Sequence, residues 1–83
     1  MLIKFEKENC VNCQKMNDIF KKYDLEPDKN IVISSNNQQL LEHYNITVLP
    51  TLLITSDEDD EYEEYDRLEG VPKLSVIKQF LSV

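Results

Sequence analysis

Two cysteines stand at Cys10-Val11-Asn12-Cys13, directly after a short apolar run and directly before a helical pattern, and the chain has no others. A Cys-x-x-Cys pair that opens a helix puts its first sulfur at the N-terminal end, where unpaired backbone N–H groups and the helix dipole favour a thiolate. The second sulfur falls one turn in, close enough to close a disulfide. Thiol–disulfide exchange needs one accessible thiolate to attack and a second thiol to release the mixed disulfide. The spacing therefore makes Cys10 the nucleophile and Cys13 the resolving thiol, whose charged form burial disfavours. Val11 and Asn12 tune the stiffness and field around Cys10. The same pair would also serve as half of a zinc site, which two further Cys or His ligands normally complete. Only His43 remains for that, a carboxylate would be needed as well, and the pattern places His43 far along a second helix. No metal is expected, and His43 reads as an ordinary helix residue.

The elements that must position the pair follow from periodicity. Residues 2–5 read as a strand. From Cys10 onward Val11, Met16, Ile19, Phe20 and Tyr23 recur at three- and four-residue spacing, one face of a helix that should stop near Asp24 and Leu25, because Pro27 disfavours helical geometry at Glu26. Ile31-Val32-Ile33 is β-branched throughout and reads as a buried strand. Residues 34–37 offer N-cap candidates for a short helix over 38–44, and Asn45 suits the left-handed conformation that ends it. Residues 51–55 are a strand, 56–61 a hairpin turn, and 62–68 a return strand with Tyr62, Tyr65 and Leu68 as apolar contributors. After Gly70, Pro72 opens a last helix with Leu74, Val76, Ile77, Phe80 and Leu81 apolar.

The resulting order, βαβαββα, requires an α/β fold with a mixed four-stranded sheet flanked by helices and a right-handed first crossover. In such a sheet the loop after the first strand lies at the carboxyl ends of the parallel strands, where sites gather. Cys10 sits in that loop. At 83 residues the chain is expected to be one domain, residues 1–83. A formal net charge of -7, from 16 acids and 9 bases, argues against a nucleic-acid partner, since binding phosphates needs a Lys/Arg surface. The first residues lack the apolar stretch of a signal peptide, and nothing approaches the ~20 apolar residues of a membrane span. A cytoplasmic monomer is the expectation. In that compartment two cysteines three apart are catalytic or metal-binding more often than structural.

With these elements in place the chain resembles the thioredoxin and glutaredoxin superfamily over almost its whole length. One carrying segment is Ile3-Lys4-Phe5-Glu6-Lys7-Glu8-Asn9-Cys10-Val11-Asn12-Cys13, similar to that superfamily's strand, loop and Cys-x-x-Cys. The other is Asn37 to Thr51, ending Glu42-His43-Tyr44-Asn45-Ile46-Thr47-Val48-Leu49-Pro50-Thr51, which looks like its helix and cis-proline loop; Gly70 matches the glycine before the last helix. The resemblance implies a minimal thioredoxin fold, a cis Leu49-Pro50 bond facing the disulfide, and a Leu49 backbone that pairs with an extended substrate segment. It also sets Val48, Leu49, Pro50, Thr51, Gly70 and Val71 around the disulfide as a substrate groove. Their size and polarity suit a peptide stretch better than a deep small-molecule pocket.

The shortness of the chain resembles glutaredoxins and the NrdH-type redoxins that supply electrons to ribonucleotide reductase, and Cys-Val-Asn-Cys is similar to the Cys-Val-Gln-Cys of the latter. Departures are informative too. The Gly-Gly-Asp-type turn by which glutaredoxins hold glutathione is missing, and the one glycine, Gly70, does not supply it. The Trp that thioredoxins carry before the first cysteine is Asn9. The buried acid six residues before that cysteine is Lys4, beneath the resolving thiol if the strand is central. A buried ammonium there would stabilise a Cys13 thiolate or, as a neutral amine, accept a proton; on a shifted or edge strand it would snorkel to water.

One charge run remains, Asp57-Glu58-Asp59-Asp60-Glu61 continued by Glu63, Glu64 and Asp66. It lacks the Gly of a calcium loop and reads as a solvated hairpin tip that discourages edge pairing, or as a docking surface for a basic partner. Phe5, Phe20, Tyr23, Tyr44 and Phe80 fall at core spacings. The expected function is a cytoplasmic dithiol–disulfide oxidoreductase that reduces protein disulfides without a cofactor beyond the cysteine pair. A thioredoxin-reductase-like flavoprotein or glutathione would be its donor and ribonucleotide reductase one acceptor. The alternative is a non-catalytic binding module that grips one protein partner through the same surface.

Overall fold

The computed structural model describes residues 1–57, 61–71 and 73–81. Pro72 as helix opener, the acidic residues 58–60 and the Leu74 side chain lie outside the described residues. Seven elements follow one another: β1 (Leu2–Lys7), α1 (Val11–Lys22), β2 (Lys29–Ile33), α2 (Gln39–His43), β3 (Thr51–Thr55), β4 (Glu64–Glu69) and α3 (Leu74–Leu81). The four strands form one mixed sheet in the order β2-β1-β3-β4. β1 runs parallel to β2 and antiparallel to β3, and β3 is antiparallel to β4.

Alternation along the two inner strands makes two cores, one on each face. Ile3, Phe5 and Leu53 pack with Tyr44 and Ile46 on the α2 side. Leu52 packs with Met16 and Phe20 of α1 and Ile77 of α3 on the other. Burying an aliphatic or aromatic side chain of this size contributes about 1.5–3 kcal/mol, so the sheet's centre is where the fold is won. The helices end as their sequences require. Asp24 takes φ 53° after α1 and Asn45 takes φ 54° after α2, the left-handed geometry that short polar side chains tolerate. Ser34 to Asn37 form a self-bonded turn, with the Ser34 amide donating to Asn37 Oδ1 at 2.7 Å, rather than a side-chain cap on α2, which has none.

Three expectations need correction. β2 is an edge strand bonded on one side only, so its β-branched run is not buried throughout and Val32 is 40% exposed. β4 starts two residues late: Tyr62 leaves the ladder to stack on Tyr44 at 4.9 Å between ring centroids, and Tyr65 is 63% exposed. Tyr23 and Val76 are also more open than core spacing implies; Tyr23 sits between the Lys22 and Lys78 ammonium groups at 5.7 and 5.3 Å.

Candidate functional site

Register places the site. Phe5 pairs with Thr51 and Thr51 with Glu69, so the loop leaving β1, the loop entering β3 and the turn leaving β4 meet at one end of the sheet. These carry Cys10, the 46–50 segment and Gly70. Every candidate site residue except Lys4 belongs to this end.

Cys10 and Cys13 form a disulfide with their Cα atoms 5.2 Å apart. Cys10 is the N-cap of α1: its backbone is extended, its carbonyl accepts from the Gln14 amide at 3.1 Å, and its Sγ accepts from the Cys13 amide at 3.1 Å. The first turn of α1 contains no acid, so no carboxylate of that turn opposes the positive end of the helix dipole at that sulfur. Cys13 is 2% exposed and Cys10 8%. The order matches the sequence reading, although Cys10, closed onto Cys13, is less open than a free thiolate was expected to be.

Opposite lies the loop before β3. The Leu49–Pro50 bond is cis. The Gly70 amide donates to the Pro50 carbonyl at 2.8 Å, with Gly70 at φ 81°, a conformation that costs glycine little. The Thr51 hydroxyl donates to the Val48 carbonyl, and the Thr47 hydroxyl to Glu69 Oε2 at 3.2 Å. Pro50 and Thr51 are fully buried, so their side chains brace the loop and do not line a groove. The apolar surface left open belongs to Val11, 68% exposed, and Val48, 44% exposed, with Leu49 and Val71 half-buried. A groove of about 320 Å³ opens elsewhere, between β4 and α3, lined by Asp66, Leu68, Val76, Gln79 and Phe80. None of these is a candidate site residue.

Lys4 does not snorkel. β1 is an inner strand and Lys4 is 6% exposed. Its ammonium donates to Asn17 Oδ1 of α1, pairs with Glu6 at 3.2 Å and lies 5.1 Å from the centre of the Phe20 ring. Asn17 in turn donates to Glu6 at 3.1 Å. Burial works to raise the Glu6 carboxyl, but hydrogen bonds from Asn17 and Lys4 and the Lys4 charge outweigh it and hold Glu6 below the ordinary 4.5. Sequence reasoning missed Glu6 and Asn17; the available signal was two opposite charges two apart, Lys4 and Glu6, on one face of β1. It also missed Arg67. That guanidinium is bidentate to Glu64 and donates to the carbonyls of Tyr44 and Asn45 at 2.9 Å each.

His43 is exposed and packs edge-on against Tyr44 and tilted against Tyr62, with centroids 4.7 and 5.7 Å away. Among the described residues no group of three or more His, Cys, Asp or Glu side chains is arranged to hold a metal ion. Nor is any helix of the described residues long and apolar enough to cross a membrane.

Comparison with known proteins adds to this geometry. A family model described as Thioredoxin matches residues 1–82. Among solved structures, a Plasmodium falciparum thioredoxin superposes with a TM-score of 0.70 at 22% identity over 95% of this chain and 79% of its own. A second structure of thioredoxin from that organism gives 0.66 at 25% identity, over 95% of this chain and 66% of its own. Trichomonas vaginalis thioredoxin gives 0.64 at 21%, over 95% and 73%. The chain thus spans 66% to 79% of these proteins' own length, and at such identities the likeness speaks for the fold. No curated protein sequence matches.

Proposed function

The chain belongs to the thioredoxin family, and from that premise we propose that it is a reductant of protein disulfides in which Cys10 attacks and Cys13 resolves. Thiol–disulfide oxidoreductase activity follows from the family and the redox-capable pair. The observation that carries the assignment of roles is the Cys13 amide aimed at Cys10 Sγ on an N-terminus free of acids, which stabilises negative charge on Cys10 and not on Cys13.

In the reduced protein the Cys10 thiolate attacks one sulfur of the substrate disulfide. That S–S bond breaks, and the other sulfur leaves as a thiolate and takes up a proton. Cys13 then loses its proton and attacks Cys10 Sγ, which closes the Cys10–Cys13 disulfide and frees the second substrate thiol. Two electrons pass to the substrate, and a two-electron donor must restore the dithiol. Val48, Leu49, Gly70 and Val71 offer an open, partly apolar edge for an extended segment, while Pro50 and Thr51 hold the loop beneath it. Lys4 serves as a positioning residue, tying β1 to α1 through Asn17.

A thioredoxin-reductase-like flavoprotein suits as donor better than glutathione, because no Gly-Gly-Asp-type turn stands ready for the tripeptide. Ribonucleotide reductase is one acceptor whose disulfide chemistry fits, and a reducing compartment such as the cytoplasm suits a reductant. The test is NADPH-coupled reduction of insulin, run in parallel with thioredoxin reductase and with glutathione plus glutathione reductase. Turnover with the flavoprotein, abolished by Cys10→Ser, is expected. Turnover with glutathione alone would overturn the choice of donor, and activity in neither assay would overturn the reductant reading in favour of a binding module.

A further inference from the structure

Glu69 is the last residue of β4 and pairs with Thr51, so its carboxylate stands at the disulfide end of the sheet. The Thr47 hydroxyl holds it against the loop that carries Val48 and Leu49. It is exposed, and Arg67, whose charge it feels, already has its fork committed to Glu64 and to the carbonyls of Tyr44 and Asn45. Elsewhere near this end Lys7 and Glu8 follow one another with opposite signs, and Lys73 precedes α3.

A second observation concerns the whole charge distribution. Residues 57–69 hold nine of the 16 acids and a single base, Arg67, whereas the remaining residues hold seven acids and eight bases. All of the net negative charge therefore belongs to the hairpin and β4, and of these acids Glu69 is the one that β4 places at the disulfide end of the sheet.

We propose that Glu69 determines substrate specificity, favouring disulfides flanked by positive charge. The inference rests on Cys10 being the nucleophile. Glu69 takes no part in bond making; it lowers the energy of a cationic disulfide as that disulfide approaches Cys10, and raises that of an anionic one.

Stopped-flow rates of the reduced protein with three small disulfides provide the test: cystamine (cationic), 3,3′-dithiodipropionate (anionic) and 2-hydroxyethyl disulfide (neutral). At about 20 mM salt the cationic probe is expected to react about tenfold faster than the anionic one, and the ratio should shrink to about twofold at ~500 mM as the field is screened. Glu69→Gln should lower the low-salt ratio about threefold, whereas Glu26→Gln, the same charge change in the loop entering β2 at the opposite end of the sheet, should lower it by less than ~1.3-fold. A wild-type ratio near one, or equal shifts from the two variants, would overturn the proposal. Failure of even the neutral probe to react would instead remove Cys10 as the nucleophile, and the proposal with it.

Discussion

Lys4 and Glu6 form a pair that neither would tolerate alone. Each has lost most of its water and each is satisfied by the other and by Asn17, so removing one leaves a buried charge unmatched. Lys4→Met is expected to cost about 3 kcal/mol in urea unfolding, and Lys4→Met combined with Glu6→Leu to return to within ~1 kcal/mol of the wild type. If the double variant proved as unstable as the single one, the pair would not be the unit. At the same scale Cys10→Ser should abolish disulfide reduction, whereas Cys13→Ser should accumulate a mixed disulfide visible by mass spectrometry, since nothing resolves it. The cysteines were legible because their spacing is local and chemical, and the Pro50 loop through its resemblance to the thioredoxin and glutaredoxin superfamily. The partners of Lys4 were not, because the contact of Lys4 with Asn17 depends on which residues of α1 the crossover lays over β1.

Elements are fastened to one another by fewer groups than their lengths suggest. α2 is a five-residue helix that could not persist alone. It is held by Tyr44 and Ile46 in the core and by Arg67, which reaches from β4 to the carbonyls at its C-terminal end. Arg67→Lys keeps the charge but loses the fork, and should lower stability by about 1–2 kcal/mol in chemical denaturation. A loss much below this would mean that the aromatic stack of Tyr44, Tyr62 and His43 holds α2 by itself. Strand identity was readable from β-branched runs, but the edge position of β2 was not: Ile31-Val32-Ile33 would read the same in the middle of a sheet. The late start of β4 was equally hidden, because Tyr62 has strand propensity and leaves the ladder only to meet Tyr44.

For the molecule as a whole, acid is the direction of instability. The carboxyl of Glu6 lies below its ordinary 4.5, and Glu64 does likewise through its hydrogen bonds from Arg67, which outweigh burial. A lowered native value means the unfolded chain takes up these protons first as pH falls, so the stability they contribute is present above pH 4.5 and is lost on acidification below it. The urea midpoint should therefore fall steeply from about pH 4.5 downward, and Glu6→Gln should flatten that slope; an unchanged slope would locate the acid sensitivity elsewhere. Tyr62 acts at the other limit. Burial and the Glu64 charge raise its hydroxyl above 10.0, so its contribution fades only as pH climbs beyond that.

The ladder between β1 and β3 joins strands whose paired residues, Phe5 and Thr51 among them, lie far apart in the sequence. Closing the Cys10–Cys13 bond requires no more than a helical turn of nearby residues, whereas the loop that faces it is held by β4 and Gly70, far along the sequence. Contacts so distant in sequence form late. The cysteine pair is thus a local feature and the loop opposite it a long-range one, so choice of partner belongs to the completed sheet and not to the Cys-x-x-Cys turn alone.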